Sequence, residues 1–230
     1  MNKKIAILGN SGHAFVVLES LSTMNMEAYG YFDKHSVANN PFQLNYLGFE
    51  GDETNDLISF QFILGIGDNN IRKRAFNLIL NRLNITNSLE ETIEKTAFSQ
   101  EESLISERIN SIFLNVIDAS SNISRNSYLG SGNYIGKQVC INSFAKIGSN
   151  CIINTGSVVE HECQIGNHSH IAPGSIVLGN AKIGSNTLIG ANSTVLPGIN
   201  IGDGVIVGAG SIVTKNIPNG SKWIGNRLIS

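Results

Sequence analysis

The sequence is poor in charge, in aromatic rings and in proline. Only 15% of its 230 residues are Asp, Glu, Lys or Arg, 7% are aromatic, and there are 4 prolines and 1 tryptophan. A formal net charge of -2 offers no basic field to a polyphosphate chain, so nucleic acid is not an expected partner. The one tight basic group, "IRKR" at 71–74, reads as the exposed face of a helix. No apolar run approaches the roughly 20 residues of a bilayer-spanning helix. The opening "MNKKIAILGN" reaches glycine too early for a signal-peptide core. A cytoplasmic protein without a membrane partner is therefore expected. The three cysteines, Cys140, Cys151 and Cys163, are odd in number and lack C-x-x-C spacing. Neither a disulfide framework nor a cysteine-rich zinc site follows, and reduced thiols are expected.

What is present falls into two periods. Over residues 1–90, strand and helix patterns alternate. "KIAILG" (4–9) is a short apolar strand, "HAFVVLESLSTM" (13–24) has helical spacing, and "EAYGYFD" (27–33) returns to strand. A third strand, "FQFILGIG" (60–67), precedes "DNNIRKRAFNLILNRL" (68–83), whose opening asparagines suit a helix cap. This is a small parallel α/β layer.

Beyond about residue 110 the period becomes six. From Ile117 to Val213, each sixth residue is Ile, Leu or Val, 17 positions without an exception. Four places after each, the residue is mostly small or β-branched, as at Ser157, Cys163, Ser175, Ala181, Thr187 and Ser193, and the place directly after the aliphatic is often glycine. An inward aliphatic, an inward small residue and a turn glycine every six residues is the signature of a parallel β-helix. Cys151 and Cys163 take the small inward place as compact apolar fillers, whereas Cys140 is expected to face outward. The fold expected is a small Rossmann-like α/β domain at 1–92 followed by a β-helix at 93–230. The polar stretch "SQEESLISERIN" (99–110) fits neither pattern.

One cluster interrupts this economy of charge. "EHECQIGNHSH" (160–170) packs two acids and three histidines into one coil. His161 takes the third place of its hexad, away from both inward positions. An imidazole with a reference pKa of about 6.5 can accept a proton near neutrality, and Glu162 could hold its other ring nitrogen. On pattern alone a solvated surface histidine is the simpler reading. A zinc site is not favoured, because His161, His168 and His170 fall on the third, fourth and sixth hexad places and point differently.

The hexads resemble the left-handed β-helix of hexapeptide-repeat acyltransferases, which form trimers and bind acetyl-CoA between neighbouring helices. More narrowly, "GNSGHA" (9–14), "YFD" (31–33), "GIGDNNIRKR" (65–74), "NTGSVVEHECQIGNHSHIAPGS" (154–175) and "GSIVTKN" (210–216) resemble the bacterial nucleotide-sugar acetyltransferases. These comprise the UDP-4-amino-sugar N-acetyltransferases and the related sialic acid O-acetyltransferase-type proteins. The hand of the helix comes from this resemblance, since parallel crossovers generally favour the right.

The resemblance assigns roles residue by residue. His161 matches the general base and Glu162 the supporting acid. His170 matches a histidine near the thioester of acetyl-CoA, and Gly179, Ala191 and Ala209 match positions lining the pantetheine groove, with Ala209 standing where a relative has glycine. His168 has no counterpart and is expected in solvent. The usual "PAK" tail is replaced by "WIGNRLIS" (223–230), where Arg227 is a candidate for the 3′-phosphate. Ser11, Gly12, His13 and Asp33, with Gly67 at the third strand, match the nucleotide-sugar pocket. A strand-to-helix turn such as "GNSGHA" suits phosphate oxygens through its N–H groups and helix dipole, although on its own it is equally a tight turn. Lys34 follows Asp33 where a close relative has a second aspartate, which leaves the base preference open.

The expectation is an acetyl-CoA-dependent N-acetyltransferase acting on a nucleotide-linked 4-amino-4,6-dideoxy sugar, UDP-linked by preference. No metal is required, and a homotrimer with its active sites at subunit interfaces is implied. A sugar O-acetyltransferase of the sialic acid type and a non-catalytic β-helix assembly subunit are the alternatives.

Overall fold

The computed structural model describes residues 3–85 and 106–229. The domain boundary expected at 92/93, and part of the polar stretch 99–110, lie outside the described residues.

The first unit is a four-stranded parallel sheet. Strands β1 (Lys4–Leu8), β2 (Gly30–Phe32), β3 (Asn45–Tyr46) and β4 (Phe60–Leu64) stand in the order β3-β2-β1-β4, with helices α1 (Gly12–Thr23) and α2 (Asn69–Arg82) completing it. Ala6, Ile7 and Leu8 of β1 are buried on both faces, as befits a central parallel strand. Strand β3, two exposed residues, carries no period by which it could be anticipated. The cap of α2 is Asp68, whose side chain accepts the Ile71 N–H at 2.9 Å, rather than the asparagines after it.

The second unit is the parallel β-helix. Seventeen two-residue strands, β5 (Val116–Ile117) to β21 (Ile212–Val213), each end on one of the predicted aliphatics. From β5 to β18 each pairs in parallel with the strand 18 residues on, as Ile153 does with Ile171, so three hexads make one coil. Three sheets result: the Val158 sheet, the Gln164 sheet and the His170 sheet. From Ile135 to Val213 the aliphatics form one continuous buried column. The inward serines are buried too, and their hydroxyls are satisfied by carbonyls in the next coil: Ser169 donates to Gly184 O at 2.7 Å and Ser175 to Gly190 O at 2.8 Å. Successive coils nearly touch at these corners. A β-carbon at Gly184 would lie 2.4 Å from backbone in the following coil, which explains the recurrent glycine. Cys151 and Cys163 are buried and free, with burial pushing both thiols up to about 11.

Past Val213 the six-residue phase stops. Trp223 pairs opposite Val207 and is wholly buried, its Nε1–H donating to Ile212 O at 3.1 Å. It closes the C-terminal end of the column.

The α/β unit docks on the early coils of the His170 sheet. Ser20 Oγ donates to Asp118 Oδ2 at 2.7 Å, Lys137 Nζ meets Glu19 Oε2 at 2.7 Å, and Phe76 stacks on Phe113 with ring centroids 4.1 Å apart. Arg72 corrects one expectation: within "IRKR" it is not exposed but 1% accessible. Its guanidinium donates to the carbonyls of Asn150 (3.2 Å) and His168 (2.9 Å) in the β-helix, and of Gly67 (3.1 Å) in its own unit. Buried carbonyls need donors, and one planar cation supplies several. Among the described residues, no helix is long and apolar enough to cross a membrane.

Candidate functional site

The expected site residues fall into two groups on different sides of the prism. His161, Glu162 and Gly179 occupy the corner where the chain passes from the Val158 sheet to the Gln164 sheet. His161 Nδ1 lies 3.2 Å from Glu162 Oε2, with both side chains about 60% exposed (60% and 62%). With the Nδ1–H donated to that carboxylate, the Nε2 lone pair is free. Nε2 lies over Gly179, where an added β-carbon would come within 2.6 Å of it. Glu162 itself takes a left-handed backbone, φ 60, a conformation that residues other than Gly and Asn seldom adopt.

The second group lies with the α/β unit. Ser11, Asp33 and Gly67 line one cleft of about 690 Å³. Ser11 is the N-cap of α1 but makes no side-chain cap bond, so its hydroxyl is left for another partner. Asp33 is held by the Asn10 and Lys34 N–H groups at 3.3 and 2.7 Å. Lys34, Glu50 and Arg74 also line the cleft. Of these, Glu50 carries no motif that would single it out. Burial pushes the Glu50 carboxyl up, and its Oε2 has no hydrogen-bond partner.

Gly12 and His13 do not line this cleft. Gly12 opens α1, and His13 turns inward, its ring edge-on to Tyr134 at 5.4 Å and its β-carbon facing Gly67. Burial, with Arg72 nearby, pulls His13 down to about 4, and its Nε2 is buried without a partner. His170, outward on strand β14 (His170–Ile171), belongs to the sheet on which the α/β unit sits; its Nε2 lies 3.2 Å from Asn154 Nδ2. Burial, then Arg72 and His13, lower it to about 3. It is therefore a neutral hydrogen-bonding ring near neutrality.

His168 is a correction. Expected in solvent, it is 5% accessible, with Nδ1 2.7 Å from Asn150 Nδ2 and its ring edge-on to Phe76. Its hexad place does point outward, but toward the corner that α2 covers. Ala191 and Ala209 stack one coil apart on the third corner, the Gly210 N–H donating to Ala191 O at 2.8 Å, and so stand apart from Gly179. Arg227 lies exposed in the terminal hairpin of β22 (Lys222–Ile224) and β23 (Arg227–Ile229). Among the described residues, no three His, Cys, Asp or Glu side chains converge on a metal-sized site.

Residues 4–79 match the PglD N-terminal domain family. Residues 144–179 match the bacterial transferase hexapeptide family, and 180–215 the hexapeptide repeat of succinyl-transferase. Among solved structures, PerB from Caulobacter crescentus, in complex with CoA and GDP-perosamine, is 26% identical with a TM-score of 0.79, covering 100% of this chain and 99% of its own. A PglD-type N-terminal domain followed by transferase hexapeptide repeats supports an acetyltransferase of the nucleotide-sugar kind. The acetyltransferase domain of PglB from Neisseria gonorrhoeae, in complex with acetyl coenzyme A, shares the fold at 21% identity and TM-score 0.78, covering 100% of this chain and 99% of its own. WeeI from Acinetobacter baumannii does so at 21% and 0.76, covering 99% and 100%.

Proposed function

We propose that this acetyltransferase moves the acetyl group of acetyl-CoA onto the amine of a nucleotide-linked 4-amino-4,6-dideoxy sugar, with His161 as general base. The observation that carries the reading is the His161–Glu162 pair, poised over Gly179 on an exposed corner. It is supported by the resemblance to PerB, whose structure holds CoA and GDP-perosamine.

His161 Nε2 takes a proton from the sugar amine as its nitrogen attacks the thioester carbonyl. A C–N bond forms, the C–S bond breaks, and the imidazolium returns the proton to the departing sulfur. Glu162 orients the ring and favours its cationic form during the step. The Gly179 N–H, without a backbone acceptor among the described residues, is the donor suited to the developing oxyanion. His170, neutral and half-buried, contributes a ring hydrogen bond rather than charge. Pantetheine runs between two copies, past Gly179 of one and Ala191 and Ala209 of the other, and the nucleotide takes the cleft at Ser11, Asp33 and Gly67.

One chain holds the base and the cleft on different sides of the prism, so a second copy must bring them together. The outward positions of the Val158 sheet favour such a contact: Val158, Ile176 and Ile212 are apolar, whereas the Gln164 sheet presents Lys146, Gln164, Lys182 and Asn200. A closed trimer satisfies both requirements. The deciding experiment is release of CoA thiol from acetyl-CoA across UDP-, dTDP- and GDP-linked 4-amino sugars, with free sialic acid included. Turnover on one nucleotide-linked amino sugar is expected, the UDP-linked arm testing the preference drawn from the sequence. Acetylation of sialic acid alone would replace the amine reading with the hydroxyl one.

A further inference from the structure

At 14 consecutive corners, from Gly132 to Gly210 in steps of six, the backbone is left-handed. Six of these residues are Gly and four are Asn, the types that tolerate this region. The exceptions are Gln138, Phe144, Glu162 and His168. Glu162 holds His161, and His168 is buried beneath α2 and bonded to Asn150. Gln138 is polar and unbranched. Phe144 is different: a bulky ring at φ 64, 61% exposed, stacking on no other ring among the described residues. A strained backbone that presents an apolar ring to solvent gains nothing within its own chain, and such strain gathers at functional positions.

Its place is specific. Phe144 stands one coil before Glu162, whose N–H donates to Ser143 O at 3.0 Å. One coil earlier, Phe144 N–H donates to Asn126 O at 3.2 Å, and Arg125 precedes that residue. Arg125, Ser143, His161 and Gly179 therefore climb one corner in order. Arg125 is exposed and makes no hydrogen bond or ion pair among the described residues. Coils repeat at about 4.8 Å, so the Arg125 backbone lies about 10 Å below that of His161, within reach of a long guanidinium side chain.

The two sides of His161 differ in use. Gly179, Ala191 and Ala209, the coenzyme positions, lie in later coils. The α/β unit of the same chain meets coils on both sides of His161: the Ala119 N–H donates to Thr23 Oγ1 and Lys137 pairs with Glu19 below, while Arg72 donates to His168 O and Asn69 Nδ2 to Thr187 O at 3.3 Å at its level and above. The coils of Arg125 and Phe144 lie on the side of His161 away from the coenzyme positions.

We propose that Phe144 and Arg125 form the acceptor subsite beneath His161. The Phe144 ring packs on the C–H face of the aminodeoxy sugar, and Arg125 pairs with its diphosphate. Pyranose C–H faces suit an aromatic surface, and a guanidinium suits phosphate oxygens. The proposal rests on the acceptor being a nucleoside-diphosphate sugar.

The test is Phe144→Asn, because Asn occupies the same left-handed place at Asn150 and Asn180. This variant should fold at least as stably as the wild type and stay trimeric. Its KM for the nucleotide sugar should rise by several-fold to about tenfold, with KM for acetyl-CoA unchanged. Arg125→Gln should raise the same KM and weaken its dependence on salt. An unmoved sugar KM in Phe144→Asn, beside normal wild-type kinetics, overturns this proposal alone. Dissociation of the trimer in Phe144→Asn would assign the ring to a subunit contact and overturn it also. Absence of wild-type turnover on every nucleotide-linked amino sugar would remove the acceptor reading, and this subsite with it.

Discussion

His161 rests on Gly179: a β-carbon at position 179 would come within 2.6 Å of the imidazole Nε2. The glycine is thus part of the seat of the proposed base, and its backbone is not in the left-handed region, so alanine is conformationally allowed there. Gly179→Ala should tilt the ring away from its Glu162 partner. We expect kcat to fall by about tenfold or more, since small misplacements of a catalytic group are expensive, while the melting temperature barely changes. Steady-state kinetics beside a thermal melt would check this.

Arg72 should matter for stability rather than for chemistry. Its guanidinium joins α2 to the carbonyls of Asn150 and His168, from a buried position. Arg72→Met keeps much of the volume but strands those acceptors, at a cost of about 1–3 kcal/mol each by typical buried-group penalties. Denaturant unfolding should show a midpoint lowered well beyond the change seen for Arg74→Met, an exposed neighbour.

The buried histidines set a direction for pH. His13 is lowered to about 4 and His168 and His170 to about 3, all from 6.5 and all chiefly by burial. The native rings therefore stay neutral where the unfolded chain is already protonated. Stability should be complete above about pH 6.5 and fall as pH drops below it, by up to about 1.4 kcal/mol per pH unit per histidine. Melting temperatures between about pH 7 and pH 5 should show this loss. In His168→Asn, where Asn suits the left-handed backbone, the slope should be shallower. A slope that does not change would exclude His168 as a contributor.

Much of the fold is legible in the sequence because each element writes its period locally. Every inward aliphatic of the β-helix announces itself six residues after the last, and the alternation of strand and helix before residue 85 does the same. What escapes is set by contacts between distant segments. Arg72 and His168 look solvent-facing within their own periods, yet they bury each other across 96 residues of sequence. Glu50 sits in a loop with no pattern, so its place in the cleft emerges only when β2 and α2 converge. Trp223 lies beyond the last hexad, and its role in closing the column depends on Val207 sixteen residues earlier. The corner proposed for the base is legible in part: the hexad place of His161 implies outward projection, but its contact with Gly179 spans a full coil.

The proposed reaction depends most on His161. The most direct measurement is kcat of His161→Ala on the amino sugar that the wild type acetylates, with coenzyme binding and oligomeric state followed in parallel. A fall of about a hundredfold or more, in an intact assembly that still binds acetyl-CoA, is the predicted result. Unchanged turnover would contradict His161 as the base and send the search for a proton acceptor elsewhere.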